Sequence, residues 1–257
     1  MSGEDRREWE AGRLRVVVGR SIEDMAARAA RDVGEYLRGV LAAQPVARVI
    51  FASAASQVLF LEKLIEQDRV DWGRLVCFHM DEYLGVDPTH PASFRLFLQQ
   101  RLVERVKPMA FHTVCGEADE PLKECERYAG LLAEAPVDLC VLGIGENGHV
   151  AFNDPPVADF ADTRLVKLVK LDEACRRQQV GEGAFATLEQ VPRFAYTLTV
   201  PALCAAKRLA CVVPEKRKAV AVRDALCGPI ETTCPASILR EQSHATLYLD
   251  ADSASLL

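Results

Sequence analysis

VDLCVLGIG, residues 137–145, is an almost unbroken apolar run that breaks into glycine and leads to ENGH at 146–149. A run this short, rich in β-branched residues and bounded by glycine, reads as a strand of a parallel sheet covered on both faces. Similar runs lie to either side: RLRVVV at 13–18, ARVIFA at 47–52, RLVCF at 74–78, and later 163–170, 196–200, 208–213 and 245–249. Helix-length amphipathic stretches separate them. Ser21 offers a cap to one running to about Ala43, with Asp24 answering three residues later. Others are expected at 56–66, from Ser93 through FRLFLQQRLVERV, from Pro121 to about Glu134, and at 216–226. This alternation gives a Rossmann-like three-layer α/β/α fold with a mostly parallel sheet, and residues 1–257 read as one domain without repeats or a low-complexity linker.

Composition narrows the function classes. Of 257 residues 49% are hydrophobic, enough for a substantial core and too many for a disordered chain. A net charge of −6 supplies no basic surface for holding a nucleic-acid backbone, so nucleic acid is not expected as a partner. No apolar run approaches the roughly 18–20 residues of a membrane span, and the opening MSGEDRREWEAG is charged, so a cytoplasmic location is expected. The nine cysteines stand singly with no CxxC pair, which fits neither a disulfide framework nor a zinc site, and most are expected to be buried.

In open parallel sheets, ligands bind beyond the carboxyl ends of the strands. Three such ends carry polar residues: SAAS at 53–56, HMDEY at 79–83 and ENGH at 146–149. Asp81 and Glu82 directly follow an apolar strand, where partial desolvation would raise a carboxyl toward the range of a general base; equally, one could cap a turn and the other meet solvent. Gly143, Gly145 and Gly148 allow tight turns that would bring Asn147 and His149 to a strand end. His149 reads as a proton carrier oriented by Asp154, or else as a histidine satisfying a loop carbonyl. Ser53 and Ser56 sit at a strand-to-helix turn, where unpaired amides favour an anion, although a serine there can simply cap the helix. Lys218 could add a charge to that anion, or belong to a solvated KRK face. The GxGxxG at 143–148 lies too deep in the chain for the usual dinucleotide fingerprint.

Together, MDEY at 80–83 with HPASF at 90–94, GIGENGHVAFNDP at 143–155, VPRFAYTLTVPAL at 191–203 and PEKRKAV at 214–220 resemble the glucosamine-6-phosphate deaminase family, in order and spacing and over nearly the whole chain. The resemblance implies a fold shared with ribose-5-phosphate isomerase and the phosphogluconolactonases. It also implies an aldose-to-ketose isomerisation of a phosphorylated amino sugar with loss of ammonia, without metal or organic cofactor, and it is compatible with a homo-oligomer. By the same resemblance His149 would assist ring opening, Asp81 would move the C2 proton to C1, and Asp154 would tune His149. Ser53, Ser56 and Lys218, with the amides of Ala54 and Ala55, would cradle the phosphate. Glu82 and Gly145 are further candidates for substrate contact, Asn147 could hold a hydroxyl, and Arg176 is the candidate phosphate arginine of the segment 172–179. Arg164 falls where some members bind an allosteric phosphosugar.

The chain departs from the family pattern in three places: SAASQ stands for TGGTP, Asn147 for an aspartate, and Asp154 for a glutamate. Two other readings compete with the deaminase. A phosphogluconolactonase-type hydrolase is disfavoured by VAFND after Gly-His, and a non-catalytic sugar-phosphate sensor by the retention of Asp81 with His149.

Overall fold

Strands formed by the apolar runs bury both faces, which is why their sequences hardly alternate. The computed structural model describes residues 7–67, 69–181 and 183–257, so residues 1–6 of the charged opening lie outside the described residues. The strands of the main sheet are β1 (Arg7–Ala11), β2 (Leu14–Val18), β3 (Ala47–Phe51), β4 (Leu75–His79), β6 (Ala110–His112), β7 (Leu139–Leu142), β10 (Leu209–Val213) and β11 (Ala245–Leu249). Their order is β1-β2-β11-β10-β7-β3-β4-β6, all parallel except the β1–β2 hairpin. A second sheet, β5-β9-β8, is antiparallel and consists of β5 (Asp81–Tyr83), β8 (Val166–Lys170) and β9 (Phe194–Leu198).

Alternate residues of each central strand enter opposite cores. Val16, Ile50, Phe78 and Leu142 pack on one face; Val17, Val49, Cys77 and Val141 pack on the other. The second face is closed by α1 (Ile22–Ala43) and α2 (Val58–Ile65) through Met25, Ala29, Leu37, Phe60 and Leu64. α1 starts where expected: Ser21 Oγ accepts the Asp24 N–H (3.3 Å), and Asp24 Oδ2 in turn accepts the Arg20 N–H (2.9 Å). The first face is covered by α5 (Pro121–Ala133), α7 (Val200–Cys204) and α8 (Ala219–Cys227), and also by the small sheet, through Tyr128, Leu203, Val222, Val166 and Tyr196. The segments 163–170 and 196–200 therefore do contain strands, but these leave the parallel sheet and form part of the covering layer.

The helix after Ser93 is assembled from α3 (Phe94–Leu98), a π-helical stretch Gln99–Val103 and α4 (Glu104–Val106). α6 (Glu173–Gly181) lies between β8 and β9 in the chain. Five of the nine cysteines are buried, as expected of small apolar side chains, and no disulfide links any of them. Among the described residues no helix is long and apolar enough to cross a membrane.

Candidate active site

A cavity of about 240 Å³ opens at the carboxyl ends of β3, β4, β7 and β10, lined among others by Ser53–Ser56, Asp81, Gly145, His149 and Lys218. The three polar strand ends thus meet in one place, as the topology of an open parallel sheet favours.

Asp81 arrives on β5, the short strand that follows β4 and pairs across from Thr197 of β9. Burial first, and the neighbouring Glu82 second, push its carboxyl well above the usual range, so the ionised form is a stronger base than a surface aspartate. Glu82 points the other way. It is fully buried, accepts the backbone N–H groups of Tyr83 (3.1 Å), Phe94 (3.1 Å) and Arg95 (3.0 Å) and the Ser93 hydroxyl (2.9 Å), and lies 3.5 Å from the Arg95 guanidinium. Glu82 therefore caps the start of α3 and does not line the cavity, which corrects its assignment as a substrate contact: an alternating strand sends adjacent side chains to opposite sides.

His149 is held from behind. Its Nδ1 lies 2.7 Å from Asn147 Oδ1 and 3.0 Å from Asp154 Oδ1, while Asn147 Nδ2 donates to the same Asp154 oxygen (2.9 Å) and the His149 N–H donates to Asn147 Oδ1 (3.1 Å). With two acceptors at Nδ1, the hydrogen-bond network assigns the proton of the neutral ring to that nitrogen and leaves Nε2 as its acceptor. Asp154 is fully buried, and burial opposes its charge; the bonds from His149, Asn147 and the Asp172 N–H outweigh this and hold the carboxyl below its usual range. Asn147 bonds both of these side chains and is not among the residues lining the cavity, so its place is to orient His149 and not to hold a substrate hydroxyl, which corrects that expectation. Gly145 is required by contact: a Cβ there would lie 2.1–2.3 Å from His149 ring atoms. Gly148 is required twice over, because its φ is +82° and a Cβ would come within 2.7 Å of Cys234 Sγ.

Thr197 joins the two halves. Its Oγ1 accepts the Phe152 N–H (3.1 Å) and lies 3.4 Å from Asn153 Nδ2, which also donates to Val150 O (2.9 Å) and Leu198 O (2.8 Å). The 145–154 loop is thereby stitched to β9, and β9 pairs with β5, so one small sheet fixes Asp81 relative to His149.

At the other end, Ala54 precedes a 3-10 turn, Ala55–Gln57, that no side chain caps. Ser53 Oγ and Gln57 Oε1 are buried without hydrogen-bond partners. The simple capping reading of these serines is thus not met, and Ser53 and Gln57 are among the residues lining the cavity, as is Lys218, itself only 3% exposed. Arg176 is placed elsewhere. Its guanidinium donates to Leu188 O and Val191 O, tying α6 to the following segment outside the cavity, which corrects its reading as the phosphate arginine. From the same helix Gln178 and Gln179 line the cavity, and Arg101 enters from the π-helical stretch. The buried pair Cys175 and Gln179, one turn apart, marks the inward face of α6 and was the available signal for Gln179. Arg164 lines a different cavity, between α5 and β8, and is paired with Asp162 at 2.8 Å.

A glucosamine-6-phosphate deaminase of Exiguobacterium sibiricum is 33% identical over 87% of this chain and 86% of its own, and one of Streptococcus gordonii is 34% identical over 87% and 92%. The solved structure of a monomeric glucosamine-6-phosphate deaminase superposes with a TM-score of 0.86 at 28% identity, over 94% of this chain and 99% of that one. A 6-phosphogluconolactonase of Trypanosoma brucei shares the fold at TM-score 0.76 and 15% identity, over 94% and 98%. The sequence pattern described as glucosamine-6-phosphate isomerases/6-phosphogluconolactonase matches residues 20–248, and the chain belongs to that family.

Proposed function

We propose that this chain is an amino-sugar phosphate isomerase and deaminase that converts glucosamine 6-phosphate and water into fructose 6-phosphate and ammonia. The observation that carries the reading is a single cavity lined by a buried, basic Asp81 and by a His149 held at Nδ1, with unpaired polar groups and Lys218 at its far end. In this reading the phosphate is bound by Ser53, Ser56, Lys218 and the amides of Ala54 and Ala55. His149 Nε2 moves a proton on the ring oxygen as the sugar opens, and Asp154 and Asn147 keep its other nitrogen engaged. Asp81 then takes the proton from C2 and returns it to C1, after which water displaces ammonia at C2. Proton transfers by placed side chains of this kind contribute about 10²–10⁴ each.

Each residue in this scheme comes from one chain, so a homo-oligomer is not required for it. A cytoplasmic location goes with the reading, because phosphorylated sugars do not cross membranes unaided.

The test is direct: purified protein is given glucosamine 6-phosphate, and ammonia and fructose 6-phosphate are followed, with 6-phosphogluconolactone in a parallel reaction. Ammonia release that falls by about 10²–10⁴ in Asp81→Asn, with the fold retained, is the expected result. Lactone hydrolysis without ammonia release would replace this reading with the hydrolase, and binding of the sugar phosphate without turnover would replace it with the sensor.

A further inference from the structure

Behind the cavity wall, a ring nitrogen of His149, a carboxylate oxygen of Asp154 and Cys175 Sγ all lie within 4.8 Å of one another. We propose that these three side chains form an inhibitory site for a thiophilic divalent ion of the zinc type. Imidazole, thiolate and carboxylate in this number are the donors that a four-coordinate zinc site takes from protein, leaving one position for water. Ligand–ligand distances in such a site are about 3.3–3.8 Å by the geometry of metal bonds near 2.0–2.3 Å, so the three atoms need to move by only about 1 Å. Charge also fits: as the ion binds, the Cys175 S–H proton leaves to solvent and the His149 ring changes tautomer, its proton passing from Nδ1 to Nε2 so that Nδ1 can ligate; one thiolate with one carboxylate then neutralises a dication in a site where Asp154 is fully buried and Cys175 is 1% exposed.

The surroundings meet the further requirements of a metal site. Asn147 Nδ2 and the Asp172 N–H already hold the two Asp154 oxygens, at 2.9 Å and 3.3 Å, as outer partners that orient a ligand. His149 forms part of the cavity wall, which gives an ion a way in from solvent. Occupancy would engage the imidazole and carboxylate that the proposed reaction uses and so stop it; this inhibition rests on the deaminase reading, whereas ion binding itself does not.

The experiment titrates the reduced, metal-free full chain with Co²⁺ and then Zn²⁺. One equivalent of Co²⁺ is expected to give a thiolate-to-cobalt charge-transfer band with the visible bands of four-coordinate cobalt, both removed by Zn²⁺. Cys175→Ser and Cys175→Ala should each abolish the charge-transfer band and weaken binding by about 10- to 100-fold or more, while circular dichroism and metal-free turnover stay as in the parent. Zn²⁺ should suppress ammonia release by the parent, reversibly by chelator, and leave both variants active. A band that survives in either Cys175 variant, or that is lost instead in a variant of the exposed Cys227, overturns the site. Should the chain prove not to be a deaminase, the cobalt spectra still decide whether the ion binds.

Discussion

The two ends of the cavity are built on opposite terms. In the loop 145–154 the side chains around the imidazole are mutually bonded: His149 Nδ1, both oxygens of Asp154 and both ends of the Asn147 amide have partners, while Asn153 Oδ1, on the far side of the loop toward β9, is buried with none. In the turn 53–57, Ser53 Oγ and Gln57 Oε1 are buried with none. A group whose hydrogen bonds are complete is fixed in orientation before substrate arrives, whereas a buried unpaired group carries a desolvation cost that only a ligand offsets. The first arrangement suits a proton carrier, the second a cradle.

The largest way to break the contrast is Asp154→Asn, which keeps the shape but removes the charge and leaves one oxygen to serve both the His149 Nδ1 and Asn147 Nδ2 pair on one side and the Asp172 N–H on the other. Asp154 acts through His149, so kcat should fall by about 10²-fold with KM little changed, and the pH profile of kcat should shift. An unchanged profile would show that the loop does not set the protonation of His149.

A smaller loss is expected from Thr197→Val. It removes the acceptor that pins Phe152 and helps hold Asn153, so the distance between the proposed base and the proton carrier is no longer fixed by the small sheet. Turnover should fall about tenfold, equivalent to about 1.4 kcal/mol, with Thr197→Ser restoring most of it. A fall in melting temperature with kcat intact would reduce Thr197 to a stabilising role.

Ser53→Ala probes the other end. Loss of a hydrogen bond to a charged group should raise KM about tenfold and leave kcat nearly constant. Its stability should not drop, because no partner is left unsatisfied. A stability loss above about 1 kcal/mol would mean that the hydroxyl is bonded in the free protein.

The smallest effect is on acid stability. The folded-state carboxyl of Asp154 lies below its ordinary value of 3.8, so its contribution to stability is fully present above that value and disappears as pH falls through the depressed one. The difference in unfolding free energy between the parent and Asp154→Asn should therefore be flat above about pH 5 and shrink below pH 4. The turn 53–57 contains no titratable side chain, and Ser53→Ala should show no such change.

The sequence by itself determined six of the eight strands of the main sheet, missing the edge strands β1 and β6, and most of the helices. β3, β7, β10 and β11 are legible because strands buried on both faces are continuous apolar runs, and α1 because Ser21 and Asp24 mark its start within a few residues of the chain. It also pointed to the polar strand ends that line the cavity, since those follow the runs directly. Only the tertiary structure decided the rest. β5 is three residues long and polar, so its identity as a strand comes wholly from pairing with β9. That Asp81 faces the cavity while Glu82 caps α3, that Gln178 and Gln179 rather than Arg176 turn inward, and that Cys175 lies against Asp154 all depend on chain segments far apart in sequence. Local patterns record propensity and burial; which partner a side chain meets is fixed by long-range packing, and that packing leaves no periodic trace in the residues themselves.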